Sequence, residues 1–83
     1  MGVEVKRTTY EVDGSKEPCF EVTDGYTMVR IAPCYHLIFK DTILITEYVG
    51  GEFNSDEEWD LTWDDIEEAD AKEIAINYSA YLS

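Results

Sequence analysis

Apolar residues in the first fifty positions recur at the spacing expected for β-strands. Val3, Val5, Tyr10 and Val12 are separated by threonines and charged residues, and Asp13-Gly14-Ser15 then ends the run with turn-forming residues. Alternation of this kind is typical of a strand with one buried face. The beginning of the chain therefore predicts a strand followed by a tight turn.

The rest of this region contains short segments rich in β-branched and aromatic residues, at 19–23, 27–32, 35–39 and 42–49. Asp24-Gly25, between the first two, strongly favours a hairpin. Pro33 ends the second segment or places it at a sheet edge, because proline cannot donate to a strand ladder. Gly50-Gly51 closes the region. We predict a four-stranded antiparallel β-sheet in meander order over residues 1–50.

Residues 62–82 instead show the period of an amphipathic helix. Thr62 is the predicted N-cap, with Asp65 three residues later as a capping-box variant. The apolar stripe that would cover one sheet face consists of Trp63, Ile66, Ala71, Ile74, Tyr78 and Tyr81. Residues 51–61 are predicted to form an acidic loop. The chain is thus expected to be one α+β domain, residues 1–83, in which a C-terminal α-helix packs on the sheet.

Charge narrows the range of functions. The chain has 19 acidic and six basic residues, a net charge of −13, and Lys72 is the single base after residue 50. Direct nucleic-acid binding is disfavoured because phosphate affinity comes from Lys and Arg, and an anionic membrane surface is disfavoured for the same reason. The N-terminus lacks the apolar core of a signal peptide, and Lys40-Asp41 interrupts the longest apolar stretch. We expect a cytoplasmic protein, acting in the host cytoplasm if a phage encodes it.

The acidic segment, residues 56–73, carries most of this charge. Its candidate partner-binding residues are Asp56, Glu57, Glu58, Trp59, Asp60, Asp64, Asp65, Glu67, Glu68, Asp70 and Glu73. As a continuous helix the segment would span about 27 Å, or about one net charge per 3 Å. One DNA strand carries a phosphate about every 3.4 Å. Glu67 and Asp70 interrupt the apolar stripe, and Trp59 in a polar loop is expected to be a contact residue. The pattern therefore predicts a mimic of nucleic-acid charge.

In size, charge and compactness the chain resembles the small acidic inhibitors that phages and mobile elements direct against restriction enzymes, CRISPR effectors and repair glycosylases. The resemblance implies a non-enzymatic inhibitor of anti-CRISPR or anti-restriction type. Its partner would be a basic nucleic-acid-binding protein of the host, such as a nuclease or CRISPR effector. Two alternatives stay open. The acids could form a solvated surface, or the chain could be an antitoxin-like regulatory module.

Such a module would bind through a sheet edge or through Tyr26, Tyr35 and Tyr48, and a free edge would also permit a homodimer. A minor alternative is a calcium loop. Its ligands, at EF-hand spacing, would be Asp56, Glu58, Asp60, Thr62, Asp64 and Glu67. Leu61 stands where that loop requires glycine, and no helix precedes it.

Catalysis has little support in the sequence. His36, the one histidine, lies in an apolar run, and nothing near Cys19 or Cys34 activates a thiol as a nucleophile. The two cysteines are expected to be free and partly buried in a reducing cytosol, although their spacing leaves a disulfide open. We expect no enzymatic activity, no cofactor and no metal site.

Overall fold

The computed structural model describes residues 2–34 and 42–82. Five antiparallel strands form one sheet: β1 (Glu4–Val12), β2 (Ser15–Thr23), β3 (Thr27–Pro33), β4 (Ile43–Val49) and β5 (Glu52–Trp59). They follow one another in meander order, β1-β2-β3-β4-β5. In the described residues the sheet is followed by a 3-10 turn, Trp63–Asp65, and one helix, α1 (Glu68–Tyr78). The predicted α+β class, meander order and C-terminal helix are confirmed, whereas the predicted number of strands is wrong.

The additional strand is β5, in the segment that was predicted to be an acidic loop. Gly50 and Gly51 have φ values of 61° and 84°, which builds a two-residue hairpin with Val49 opposite Glu52. Such a turn directs the chain back along β4 whatever the charge that follows it. The acids of an edge strand can remain in water while the backbone pairs, so charge does not prevent the strand. The strand predicted at 35–39, with Tyr35 and His36, lies outside the described residues.

The helix is shorter than predicted and begins six residues later. Ile66 is extended (φ −96°, ψ 122°), which separates the 3-10 turn from α1. The N-cap of α1 is Glu67, whose backbone N–H donates to Asp70 Oδ2 at 3.0 Å. The predicted cap of this helix at Thr62 is therefore wrong. In the described part of the chain, no helix is long and apolar enough to cross a membrane.

The core lies between one face of the sheet and the C-terminal segment. The sheet contributes Phe20, Val22, Val29, Ile31, Ile43 and Ile45, and the C-terminal segment contributes Ile66, Ala71, Ile74, Ala75 and Leu82. Three members of the predicted stripe, Ile66, Ala71 and Ile74, are thus confirmed as buried. Tyr81 is 60% exposed because the helix ends at Tyr78, and Leu82 takes the interior position instead.

A buried polar cluster fixes the end of α1 against the sheet. Glu47 on β4 is 3% exposed, and its carboxylate accepts hydrogen bonds from Ser79 Oγ and, at 2.7 Å, from Asn54 Nδ2. Ser79 Oγ in turn accepts from the backbone N–H of Leu82 at 3.1 Å. The cluster joins β4, β5 and the chain after α1, and so determines where the helix ends on the sheet.

Candidate protein-binding surface

The acidic segment is spread over three structural elements. It comprises the second half of β5, the connection that contains the 3-10 turn, and the first half of α1. All ten of its carboxylate residues are exposed. Strand residues are spaced by about 3.3 Å, more than twice the rise per residue of a helix. The charge density predicted for a continuous helix is therefore too high and is wrong for this segment. All ten acids nevertheless face solvent.

On β5 the acids alternate between the two faces of the sheet. Asp56 lies opposite Thr46 and Glu58 lies opposite Leu44, on the face away from α1. Glu57 lies on the helix-bearing face, between Ser55 and Trp59, which both contact Tyr78. A flat partner surface reaches one of these two sets, whereas a partner that approaches the sheet edge reaches both.

Four acids further along the chain surround one groove of about 460 Å³. This acidic groove is lined by Asp60, Leu61, Thr62, Asp65, Ile66, Asp70, Glu73, Ile74 and Asn77. Its floor is aliphatic, because Ile66 and Ile74 belong to the core, and Leu61 is 39% exposed. Carboxylates around an aliphatic floor complement Lys and Arg, whose apolar stems can be buried while their charged ends meet the acids.

Trp59 lies on a strand and not in the predicted loop. Its ring packs edge-on against Tyr78 with centroids 6.3 Å apart, and its Nε1–H donates to Glu57 Oε1 at 2.7 Å. The side chain is half-buried and packs against the core. Trp59 therefore lies at the end of β5, packed between this strand and α1, and its predicted placement in a loop is wrong.

Glu67 and Asp70, which break the apolar stripe in the sequence, have a local explanation. Glu67 is the N-cap of α1. Asp70 is the third residue of the helix, and its carboxylate accepts a hydrogen bond from the Glu67 backbone N–H. Such reciprocal capping satisfies backbone donors that have no partner within the helix. Their positions therefore do not by themselves require a binding partner. Asp70 serves as a cap and also lines the acidic groove.

The calcium alternative does not fit the geometry. β5 continues through Trp59, so the first four positions of the EF-hand spacing lie in a paired strand and cannot form a loop. Over residues 2–34 and 42–82, no three His, Cys, Asp or Glu side chains are grouped as they would be to hold a metal ion.

A second surface lies on the sheet face opposite α1. The Arg30 guanidinium carbon is 4.3 Å from the centre of the Tyr10 ring, and Arg30 donates to Tyr48 Oη at 3.1 Å. Tyr26 is 69% exposed, and Phe53, 59% exposed, packs edge-on against Tyr48. We call these five residues the aromatic patch. The sequence indicated Tyr26 and Tyr48, but Arg30 and Phe53 were missed because strand register alone places them beside these tyrosines.

Cys19 and Cys34 are both buried, and they are not joined by a disulfide. Burial raises the pKa of the Cys19 thiol, and the nearby Glu21 carboxylate raises it further, against a smaller opposing effect of Arg30. A thiol in this setting stays protonated at neutral pH, which is the opposite of what a nucleophilic cysteine requires. His36 lies outside the described residues.

No protein-family model, curated protein or solved structure matches this chain.

Proposed function

We propose that this protein is a small acidic inhibitor that binds the basic nucleic-acid-binding groove of a target protein by mimicking phosphate charge. The observation that carries the proposal is the exposure of all ten carboxylates in residues 56–73, where Lys72 is the one base. A target groove built to hold phosphates presents Lys and Arg, which meet these carboxylates as they would meet nucleic acid. We expect the target to be a host nuclease or CRISPR effector in the cytoplasm.

The acidic groove supports this reading because it adds shape to charge. A purely solvated acidic surface needs no recess, whereas this groove combines four carboxylates with an aliphatic floor from Ile66 and Ile74. A Lys or Arg of the target can place its stem on that floor and its charged end among the acids. We expect the groove to make the closest contacts, and the acids of β5 to steer the approach of the target.

The experiment begins with capture of host proteins on the immobilised chain, followed by elution with duplex DNA, RNA and high salt. A basic nucleic-acid-binding protein released by nucleic acid is the expected result, because mimic and nucleic acid compete for one groove. Its affinity is then measured with purified protein at several salt concentrations. Affinity should fall steeply as ionic strength rises.

A pair of matched variants tests which carboxylates bind the target. The groove variant carries Asp60→Asn, Asp65→Asn, Asp70→Asn and Glu73→Gln. The control carries Glu4→Gln, Asp13→Asn, Glu17→Gln and Glu52→Gln, so both variants lose four negative charges. Asn at position 70 retains an oxygen for the cap of α1. We expect the groove variant to bind at least about tenfold more weakly and the control to bind nearly as wild type. Equal affinities would contradict the proposal.

The aromatic patch supports a second candidate function, a regulatory module that binds its partner through the sheet. Tyr26 and Phe53 are exposed large side chains beside the half-buried Arg30 and Tyr48, a composition common in binding hot spots. Binding through this patch would persist at high salt and be lost in the double variant Tyr26→Ala/Phe53→Ala. The groove variant would then bind normally, so the two candidate functions give opposite results.

A further inference from the structure

The two edges of the sheet differ in how they are protected from pairing with another strand. β5 carries Glu52, Asp56, Glu57 and Glu58, and its pairing with β4 is interrupted by a register shift at Glu47/Tyr48. Charges and bulges on an edge strand are recognised devices against further pairing. β1 has nine residues, contains no proline, and pairs with β2 residue for residue from Glu4 to Val12. β1 also carries four charged residues, but its edge is long and regular, with no proline and no register shift.

The turn after β1 determines which backbone groups point outward. Asp13 and Gly14 have φ values of 49° and 83°, as in a type I′ hairpin turn. Val12 and Ser15, which flank this turn, then form a hydrogen-bonded pair, and hydrogen-bonded positions alternate along the strand. The N–H and C=O groups of Val5, Arg7, Thr9 and Glu11 consequently point away from β2. Within residues 2–34 and 42–82, no strand pairs with this side of β1.

We propose that β1 is a homodimer interface, in which two copies pair antiparallel about a two-fold axis at Thr9. This register places Thr9 opposite its own copy and Arg7 opposite Glu11 of the partner subunit, once on each side of the axis. Thr8 lies opposite Tyr10 of the partner subunit. The outward groups of both strands then make about six main-chain hydrogen bonds. The pairing joins two five-stranded sheets into one.

A second copy is the favoured occupant because the β1 edge complements itself in charge. Its charged residues are Glu4, Lys6, Arg7 and Glu11, so the strand has no net charge in an otherwise acidic protein. Opposite charges on directly facing strand residues stabilise pairing, and like charges oppose it. The register through Thr9 pairs Arg7 with Glu11 twice, whereas a register through Arg7 would place the two arginines face to face.

The net charge of −13 on each copy gives this dimer a distinctive salt dependence. The two molecules repel each other at long range, and the Debye length is only about 8 Å at physiological ionic strength. Added salt therefore weakens the repulsion while the main-chain hydrogen bonds persist. The dimer should tighten as salt rises, whereas binding of the acidic segment to a basic target should weaken. The two associations can thus be measured separately on the same protein.

The test is the mass of the purified full chain by sedimentation equilibrium, from low micromolar to millimolar concentration and at low and high salt. We expect a monomer–dimer equilibrium that shifts toward dimer at high salt. Thr9→Pro removes one outward donor from each copy and leaves the bonds to β2, and should weaken dimerisation at least about tenfold. Circular dichroism verifies that this variant retains the fold.

Charge exchange provides a second, independent test. Arg7→Glu and Glu11→Arg should each weaken the dimer, and the double variant should restore it because the pair is re-formed in reverse. Lys72→Glu alters the net charge by the same amount as Arg7→Glu and should have a smaller effect. A protein that stays monomeric up to millimolar concentration, a series of masses beyond the dimer, or a double variant that fails to recover would each overturn the proposal.

Discussion

Replacement of Glu47 tests whether the buried polar cluster positions α1. Glu47 is 3% exposed, and its carboxylate accepts from Ser79 Oγ and Asn54 Nδ2. Glu47→Ala leaves the buried Ser79 hydroxyl without its acceptor, whereas the exposed Asn54 amide can donate to water instead. Leaving a buried donor unsatisfied costs about 1–3 kcal/mol. Removing the carboxylate also removes its own desolvation penalty, which offsets part of this loss.

Taken together, these effects predict that Glu47→Ala lowers the free energy of unfolding by about 1–3 kcal/mol. Glu47→Gln keeps one acceptor oxygen but turns an NH₂ group toward a donor. Ser79 cannot easily compensate as an acceptor, since its hydroxyl already accepts from the Tyr81 and Leu82 N–H groups. We therefore expect Glu47→Gln to cost about 1–2 kcal/mol. A domain of this size has a total stability of only about 4–12 kcal/mol, so either loss is readily measured.

Urea unfolding followed by tryptophan fluorescence measures both variants, and a double-mutant cycle with Ser79→Ala isolates the contact between Glu47 and Ser79. Glu52→Ala, on the exposed beginning of β5, is the matched control and should change stability by less than about 0.5 kcal/mol. A loss below about 0.5 kcal/mol for Glu47→Ala would refute the reasoning, as would a coupling energy of zero with Ser79. Either result would mean that apolar packing alone fixes the end of the helix.

Two further predictions concern a turn and alkaline pH. Gly50→Ala should lower the free energy of unfolding by about 1–2 kcal/mol, because alanine is strained at φ 61°. The added carbon would lie 2.8 Å from Tyr26 Oη, but this exposed ring can move away. Thermal melts should therefore show a similar loss for Gly14→Ala, where nothing lies within 4 Å of the added carbon. Burial raises the pKa of Tyr10 and Cys19 above their ordinary values of 10.0 and 9.0. As pH rises, the unfolded chain therefore loses these two protons before the folded protein does. The two groups contribute their full stabilisation below about pH 9, and this contribution is lost as pH rises through their raised pKa values. Melts of Tyr10→Phe should show a smaller alkaline decline, and an unchanged decline would contradict this assignment.

The candidate surface was partly predictable because charge is a property of composition. The acids of residues 56–73 must face water whatever the fold, since unpaired carboxylates are almost never buried. Their exposure in the structure follows from this rule. The grouping of Asp60, Asp65, Asp70 and Glu73 around one groove does not follow from it. That arrangement depends on the extended residue Ile66, which separates the 3-10 turn from the helix.

The environment of Trp59 also could not be predicted from its neighbours in the sequence. Its neighbours in the sequence are acids, which indicated a solvent-exposed loop and a contact residue. The neighbour that decides its environment is Tyr78, nineteen positions away, which reaches it only because α1 crosses the sheet. An edge strand with three consecutive acidic residues has no apolar pattern of its own, and β5 was missed for that reason.

Local pattern by itself determined the antiparallel meander, the C-terminal helix and the buried positions Ile66, Ala71 and Ile74, because strand alternation, turn dipeptides and helical period act over a few residues. Tertiary structure decided the fifth strand, the start of α1, the burial of Glu47 and Leu82, and the packing of Trp59 against the core. Each of these depends on contacts between residues far apart in the chain. Hydrogen-bond pairing with β4 and packing against α1 supply free energy that no local window of sequence contains.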